Sequence, residues 1–280
     1  MIRSRWTSVP AVHLVLLLAA LYSLLPLVWL ATSATKSLGE FSTTSPFELG
    51  QWHLGANLAA LFAQEGGIFL VWVGNSAFYA GGGAVLGALI CAACGYAIAK
   101  TRFPGRRLLF ALTLAGVLVP TTALALPLYL LASQLRVVDT ALAVFLPLLT
   151  NPFGVYLARV YAEAAVPDEV LEAARVDGAG ELRTFFAVAL PMMRPGVVTV
   201  LLFQFVGIWN NFFLPLVLLT DPELFPLSLG LFQWSTRQSQ FPQYTPLVVT
   251  GSLLAVLPLV VAFLVLRRQW RAGLAAGSAR

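Results

Sequence analysis

Long runs of apolar residues alternate with short polar connections along this chain. A helix rises about 1.5 Å per residue, so an apolar run of about 20 residues can cross a hydrocarbon core about 30 Å thick. Six runs have this length, with bounds near residues 11–32, 73–99, 107–133, 140–161, 196–219 and 246–266. The apolar–polar alternation that marks membrane β-strands is not found in them. The pattern predicts an all-α integral membrane protein with six transmembrane helices.

Two segments near the N-terminal end need a separate interpretation. The apolar core Ala11–Ala31 follows Arg3 and Arg5, as in a signal peptide, but it exceeds the usual apolar length of about 7–15 residues. We therefore predict an uncleaved first span. The apolar run Leu58–Val73 is interrupted by the polar and glycine residues 64–67. Because a charge near the middle of a span costs about 2.5–3.5 kcal/mol, this run is predicted to be an interfacial helix that leads into the second span.

Prolines inside the predicted spans indicate helices that are kinked in the membrane. Such breaks are tolerated in lipid where neighbouring groups satisfy the freed carbonyls. The positions concerned are Pro120, Pro127, Pro147, Pro152, Pro215 and Pro258.

The composition agrees with a membrane protein. Hydrophobic residues make up 59% and charged residues 10% of the 280 residues, with a mean hydropathy of +0.84. Soluble domains are about 45–50% apolar and about 25% charged. An ordinary cytosolic enzyme, a disordered chain and a secreted disulfide scaffold are thereby excluded. Cys91 and Cys94 lie one helical turn apart in an apolar run and are interpreted as small packing residues, because no further ligand completes a metal site.

The placement of the basic residues predicts the orientation of the chain, since Lys and Arg are enriched in cytoplasmic connections. Connections on one side hold fourteen of them: Arg3, Arg5, Lys100, Arg102, Arg106, Arg107, Arg159, Arg175, Arg183, Arg194, Arg267, Arg268, Arg271 and Arg280. Those on the other side hold three: Lys36, Arg136 and Arg237. Both termini are therefore predicted to be cytoplasmic. The excess of basic residues in the connections on one side accounts for the net charge of +5. No nucleic-acid partner is predicted, because binding to nucleic acid would need a basic face on a soluble domain.

Residues 163–194, between the fourth and fifth spans, form the one long polar segment with an internal pattern. Half of the acidic residues lie in it. Pro167 at a first helical position, followed by Asp168 and Glu169 in the first turn, predicts a helix start. Gly178 is placed to end that helix, and Glu181 opens a second one. The segment is predicted to be a short helix, a glycine turn and another helix outside the membrane.

Two interpretations of this segment remain open from the residues alone. It could be a solvated amphipathic connector, as most charged loops are. Alternatively, Ala173, Ala174 and Gly178 are small enough to let the backbone of a partner approach closely, and a flanking Glu offers a charge to an Arg of that partner.

Several motifs resemble those of known transport proteins. The run Glu172-Ala173-Ala174-x-x-Asp177-Gly178-Ala179 resembles the EAA loop of ABC-importer permeases. Five further stretches resemble the carbohydrate permeases of the maltose-transporter type: residues 75–76, 102–106, 127–129, 209–212 and 215–216. The resemblance extends over nearly the whole chain, which would then be a single permease domain, 1–280, with the coupling loop 163–194 inside it.

The resemblance implies a type I ABC importer permease fold and a coupling role for the loop. Glu172 would contact the ATPase subunit, Ala173 and Ala174 would form the closely packed face, and Asp177 and Gly178 would complete the motif at the turn. It also implies the partners: a second, homologous permease in a heterodimer, two P-loop ATPase subunits that bind ATP and Mg²⁺, an extracytoplasmic solute-binding protein and a carbohydrate-like substrate. The location would be the cytoplasmic membrane of a bacterium or archaeon, with the chain in contact with membrane lipid.

The sequence itself excludes ATP binding through a P-loop. That motif ends in a glycine followed by lysine and a hydroxyl residue. The chain has two lysines, Lys36 and Lys100, and neither follows a glycine. We therefore expect no cofactor in this chain and no enzymatic activity of its own, with ATP hydrolysis carried out by a separate subunit.

Polar residues within a span are candidates for a substrate pathway, because they are costly in lipid. Trp209, Asn210 and Asn211 in the fifth span are the best candidates, since amides exchange hydrogen bonds with hydroxyls and an indole can stack on a sugar ring. Weaker candidates are Gln204, Asn151, Thr121 and Thr122. For all of them, hydrogen bonds between helices are the alternative interpretation.

Two other classes of function, a secondary carrier and a membrane enzyme, are alternatives to an ABC permease. A stand-alone secondary carrier for a small polar solute would be expected to carry an Asp, Glu or His relay within its spans, and none lies centrally in the six predicted here. A membrane enzyme would need an acid–base or metal constellation in the loops, and the sequence offers none.

Overall fold

The computed structural model of the chain describes residues 8–277, with side chains described for 12–266. Within these residues there are helices, turns and loops but no β-strand. The α-helices are α1 Ser8–Ser33, α2 Glu40–Thr43, α3 Leu54–Ala63, α4 Ile68–Ala77, α5 Gly83–Lys100, α6 Arg106–Leu118, α7 Ala125–Gln134, α8 Ala141–Leu148, α9 Pro152–Ala165, α10 Asp168–Val176, α11 Glu181–Thr184, α12 Leu190–Met192, α13 Arg194–Trp209, α14 Phe213–Leu218, α15 Leu227–Thr236 and α16 Tyr244–Gly277. Arg3, Arg5 and Arg280 of the predicted cytoplasmic set lie outside the described residues, as do the side chains of Arg267, Arg268 and Arg271.

The described residues contain four helical segments that are long and apolar enough to cross a membrane. They are Val12–Ser33, Leu54–Lys100, Ala141–Ala165 and Tyr244–Leu266. Two further pairs of helices meet the same criterion together but are bent. The pair Arg106–Leu118 and Thr121–Gln134 is bent by 103°, and the pair Glu181–Met192 and Arg194–Trp209 by 82°. The prediction of an all-α membrane protein is confirmed, with four to six candidate spans.

The second span begins earlier than predicted. Helix α4 starts at Ile68 and continues through a π-helical turn, Phe78–Gly82, into α5, so the helix begins before residue 73, the predicted start of the span. The break before it lies at residues 64–67, where Glu65 and Gly66 have positive φ values of 48° and 70°. A left-handed backbone cannot continue an α-helix, so α3 ends there. The interfacial position of residues 58–73 stays a prediction.

The third predicted span is not one straight helix. Helix α6 ends at Leu118, and Val119 has an extended backbone with ψ 120°. The ring of Pro120 disfavours the α conformation at the residue before it, which explains the break and the sharp bend. The expected proline kink is confirmed at this position, and a single span over 107–133, bent at Pro120, stays a prediction.

The fifth predicted span, 196–219, is likewise divided. Helix α13 begins at Arg194 and ends at Trp209, and α14 is a separate short helix. The side chain of Asn210 donates to Val206 O at 2.8 Å, and Asn211 Oδ1 accepts from Leu214 N at 3.3 Å. Local bonds of this kind compete with the hydrogen bonds of a helix and explain why α13 stops at the asparagines.

The chain divides into two compact units. The described residues up to Gly67, with Gln233–Leu257, form one unit, and Ile68–Phe232, with the described residues from Pro258 on, form the other. The single permease domain over residues 1–280 stays a prediction.

Helices α5, α9 and α13 form the centre of the second unit. At Gly95, an added Cβ would lie 2.5 Å from the backbone N of Arg159, so glycine is needed where α5 meets α9. A hydrophobic cluster extends from this crossing toward the polar segment; its buried members are Ala92, Tyr96, Ala158, Ala162, Val166, Leu171, Phe185, Ala189 and Met193. The packed helices and the polar segment therefore share one core.

Candidate functional site: the coupling segment and the pathway residues

The polar segment has the local structure that its sequence predicts. Helix α10 begins at Asp168 after Pro167, which is the N-cap residue and not the first helical residue as predicted. Gly178 has a φ of 77°, Gly178 N donates to Arg175 O, and Ala179 N donates to Ala174 O at 2.9 Å. This pair of bonds around a left-handed glycine is a Schellman motif. The helix, the glycine turn and the second helix from Glu181 are confirmed.

One side of α10 is anchored to the second unit. Leu171 is buried in the cluster that also contains Tyr96 and Phe185. At the start of the helix, Lys100 Nζ donates to Asp168 Oδ1 at 2.7 Å, so the last residue of α5 holds the first residue of α10. This hydrogen bond and the charge of Lys100 keep the pKa of the Asp168 carboxyl below its usual range. Helix α10 is thus fixed at both its apolar face and its N-terminus.

The second helix of the segment is held to the same core and to α10. Phe185 packs against Tyr96 with ring centroids 5.3 Å apart. Arg175 Nε lies 3.3 Å from Glu181 Oε1, so an ion pair bridges the turn at Gly178. A displacement of α10 would therefore be transmitted to the residues that lead into α13.

The other side of α10 faces away from the protein. Glu172, Ala173, Asp177 and Gly178 are exposed, and Ala174 is half-buried. Among the described side chains, no cation lies within 4.0 Å of the Glu172 carboxylate.

Two large apolar side chains are exposed in the same polar segment. Val176 is 88% and Leu182 is 76% exposed. Small residues, an unpaired carboxylate and apolar side chains outside the predicted spans are the features of a surface that docks a partner.

The predicted pathway residues all lie at the far end of α13. Trp209 is only 6% exposed and stacks on Phe205, with ring centroids 5.8 Å apart. Asn210 is exposed, and its amide donates to a carbonyl of its own helix. Asn211 Oδ1 accepts from Leu214 N in the first turn of α14, and the backbone carbonyl of Asn211 accepts from Ser228 Oγ at 2.9 Å. The structure brings the three side chains into one region, but only Asn210 is well exposed, and a role in the pathway stays a prediction.

The weaker pathway candidates have structural roles in part. Gln204 is buried, and its Nε2 donates to Leu148 O at 3.1 Å and to Gly83 O at 3.4 Å. Asn151 caps α9 by accepting from Gly154 N at 3.0 Å. For these two residues the structure agrees with the alternative interpretation, hydrogen bonding between or within helices.

Sequence reasoning missed a polar stripe on α4 and the π-helical turn after it, which holds a distant loop. Trp72 Nε1 donates to Pro222 O at 2.8 Å, and Tyr79 OH donates to Leu224 O at 3.1 Å. Asn75 Nδ2 donates to Glu223 O at 2.7 Å and to Phe225 O at 3.0 Å, and Ser76 Oγ accepts from Leu227 N at 2.7 Å. Residues 72, 75, 76 and 79 are three or four positions apart and so lie on one helix face. This spacing of polar side chains was the feature of the sequence that could have identified the stripe.

We expect Asn75→Ala to loosen the loop at residues 221–227. The substitution leaves two loop carbonyls without this donor, and such a loss costs about 1–3 kcal/mol. Hydrogen–deuterium exchange of these amides should then be about 5- to 100-fold faster. Gly74→Ala is the matched control, because an added Cβ there meets nothing within 4 Å. Equal exchange in the two variants would show that Asn75 does not hold the loop.

Comparison with known proteins identifies the family. Residues 84–271 match the family model described as "Binding-protein-dependent transport system inner membrane component". The chain is 35% identical over 216 residues to the arabinooligosaccharides transport system permease protein AraQ of Halalkalibacterium halodurans, which covers 77% of this chain and 76% of that protein. It is 32% identical over 272 residues to the diacetylchitobiose uptake system permease protein NgcG of Streptomyces coelicolor, which covers 96% and 88%.

A solved structure has the same fold. It is a chain of a bacterial ABC transporter involved in the import of the acidic polysaccharide alginate, with a TM-score of 0.80, 22% identity and coverage of 96% of this chain and 99% of that one. The family match favours a subunit of an importer over a stand-alone carrier or an enzyme. The chain therefore belongs to the inner membrane components of binding-protein-dependent transport systems, and it is a permease subunit of an ABC importer.

Proposed function

We propose that this chain is one of two homologous permease subunits in an ABC importer that takes up oligosaccharides or sugar-like solutes. The two relatives described above are named as permease proteins of an arabinooligosaccharide transport system and a diacetylchitobiose uptake system. Their names support a carbohydrate substrate. The observation that carries the coupling role is the anchored helix α10, whose outer face presents Glu172 and Ala173 to a partner.

Helix α10 is the element that couples ATP hydrolysis to transport in this proposal. Two P-loop ATPase subunits bind ATP and Mg²⁺ and receive α10 in a cleft, where Glu172 meets a basic group of the ATPase and Ala173 and Ala174 allow close approach. Because Leu171 and Asp168 fix α10 to the second unit, closure of the ATPase pair moves that unit as a body. A rigid connection of this kind transmits a two-state motion, which a flexible loop would absorb.

The proposed topology has six spans, with both termini in the cytoplasm of a bacterium or archaeon. The bent pair Arg106–Leu118 and Thr121–Gln134 counts as the third span, and Arg194–Trp209 with Phe213–Leu218 counts as the fifth. The distribution of basic residues, fourteen against three, supports the orientation. An extracytoplasmic binding protein delivers the solute to the opposite side. Trp209, Asn210 and Asn211 then lie at the extracytoplasmic end of α13, where a sugar would enter from the binding protein.

Co-purification tests the assembly directly. The tagged chain is extracted from its native membrane in mild detergent, and proteins that come with it are identified by mass spectrometry. We expect a P-loop ATPase and a second six-span permease. A chain that is recovered alone and transports in liposomes without ATP would contradict the proposal and identify a secondary carrier.

The contact at Glu172 is tested by Glu172→Ala in the same preparation. Hydrogen bonds to charged groups contribute about 1.5–3 kcal/mol, so loss of this one is expected to weaken binding of the ATPase about 10- to 100-fold. Glu223→Ala is the matched control, because it removes an exposed carboxylate from the predicted extracytoplasmic side. Equal recovery of the ATPase with both variants would argue against docking at Glu172.

A further inference from the structure

A cavity of about 790 Å³ lies where the connection between α5 and α6 meets α9. Four of the residues that line it are arginines: Arg102, Arg106, Arg107 and Arg159. The remaining wall is mainly apolar and includes Phe103 and Phe110. All of these residues belong to the second unit, and none belongs to the coupling segment or the predicted pathway.

The positive charge of this cavity is only partly compensated. Arg159 pairs with Glu163 one turn later on α9. Arg106 donates to Ala99 O at 3.2 Å and to Thr101 O at 3.3 Å, which satisfies donors but adds no negative charge. In the described part of the chain, no carboxylate lies within 4.0 Å of Arg102 or Arg107. Guanidinium groups gathered around one cavity repel each other unless an anion lies between them.

The geometry of Arg159 adds a second observation. Its guanidinium carbon lies 3.9 Å from the centre of the Phe110 ring, so the ring holds the planar group in one orientation. Its Nε is buried and has no hydrogen-bond partner. A buried N–H without an acceptor costs about 1–3 kcal/mol, so the protein does not satisfy all the donors of this arginine.

The backbone at the start of α6 supplies further donors. Gly105 has a φ of 84° and precedes the first helical residue, Arg106. The first N–H groups of a helix have no acceptor within it, and the helix dipole favours an anion there. Arg107 and Leu108, whose N–H groups are among them, line the cavity. The residues that carry free N–H groups at the start of α6 therefore line the same cavity as the four arginines.

We propose that this cavity binds a phosphate group, supplied by the headgroup of an anionic phospholipid of the cytoplasmic leaflet. Arginine forks match phosphate oxygens, and basic pockets between membrane helices suit acidic headgroups. The apolar wall favours a lipid over free phosphate as the source. Leu108, which lines the cavity, and Leu112 are 64% and 60% exposed one turn apart on α6, so exposed apolar surface continues from the cavity along the predicted span. The choice of leaflet rests on the proposed topology, whereas phosphate recognition depends on neither topology nor coupling.

Native mass spectrometry of the delipidated complex, titrated with phosphatidylglycerol or phosphatidylcholine, tests the site. The complex should retain phosphatidylglycerol in preference to phosphatidylcholine. The double variant Arg102→Gln/Arg107→Gln should bind phosphatidylglycerol about 30-fold more weakly, at about fivefold per arginine. Both side chains are exposed, so the variant is expected to fold. Arg194→Gln is the control, because it removes an exposed arginine from the predicted cytoplasmic side without touching the cavity.

Competition with inorganic phosphate separates the two sources. If millimolar phosphate leaves the lipid bound, the headgroup is the ligand. If phosphate displaces the lipid from the wild type but has no effect on the double variant, the cavity is a phosphate site that free anions also fill. Equal retention of the two lipids, or equal loss of phosphatidylglycerol in the double variant and Arg194→Gln, overturns the proposal. Because the readout is lipid binding, a failure here leaves the proposed coupling function unaffected.

Discussion

Gly95→Leu is expected to lower the stability of the folded chain strongly. Even a single Cβ at this position would lie 2.5 Å from Arg159 N and 2.7 Å from Ala158 Cβ. The nearest atoms belong to the backbone and first side-chain carbon of α9, which cannot rotate out of the way as the end of a long side chain could. Overpacking of a core costs about 1–3 kcal/mol and more where the backbone must move. The separation of α5 and α9 would have to increase along their whole contact.

The measurement is the thermal stability of the detergent-solubilised chain, followed by size-exclusion chromatography after heating. We expect a midpoint lower by about 5–10 °C, or no monodisperse protein at all. Gly74→Leu is the matched control, since Gly74 is exposed on α4 and an added Cβ meets nothing within 4 Å. A midpoint for Gly95→Leu equal to that of Gly74→Leu would show that the close crossing of α5 and α9 does not limit stability.

Features with local causes could be predicted from the sequence. The local structure of the polar segment 163–194 is an example, because the acidic first turn after Pro167 and the glycine at 178 act through their immediate neighbours. The apolar runs are another, since their length alone identifies helices suited to a bilayer. The start of α4 at Ile68, directly after the break at residues 64–67, was located less accurately, because the pattern of polarity does not show where a helix resumes.

Features that depend on distant partners could not be predicted. The indole of Trp72 meets the carbonyl of Pro222, which lies 150 positions later in the chain. Gln204 was a candidate for the pathway, but its amide Nε2 donates to backbone carbonyls of two other helices. The arginine cavity likewise needs Arg159 of α9 beside Arg107 of α6. Polarity within a span shows that a side chain needs a partner, but it does not show whether that partner is a solute or another helix.

Gly178→Val is expected to uncouple ATP hydrolysis from transport while leaving the chain inserted in the membrane. Gly178 has a φ of 77°, and an added Cβ meets nothing within 4 Å, so the penalty comes from the backbone and not from a contact. A left-handed conformation costs an L-residue about 1–2 kcal/mol, and a β-branched residue adopts it with most difficulty. The turn would therefore open and lose the bond from Ala179 N to Ala174 O.

Gly180→Val in the same loop isolates the backbone effect. Gly180 also has open space around it, but its φ is −69°, which valine adopts without strain. In proteoliposomes of the complex, uptake of labelled arabino-, chito- or maltooligosaccharides should fall about tenfold for Gly178→Val and remain near wild type for Gly180→Val. Gly178→Asn should recover part of the uptake, because asparagine tolerates the left-handed region better than other side chains. If valine at 178 and at 180 gave the same uptake, the fixed angle of the turn would not be what transmits the movement of α10 to α13.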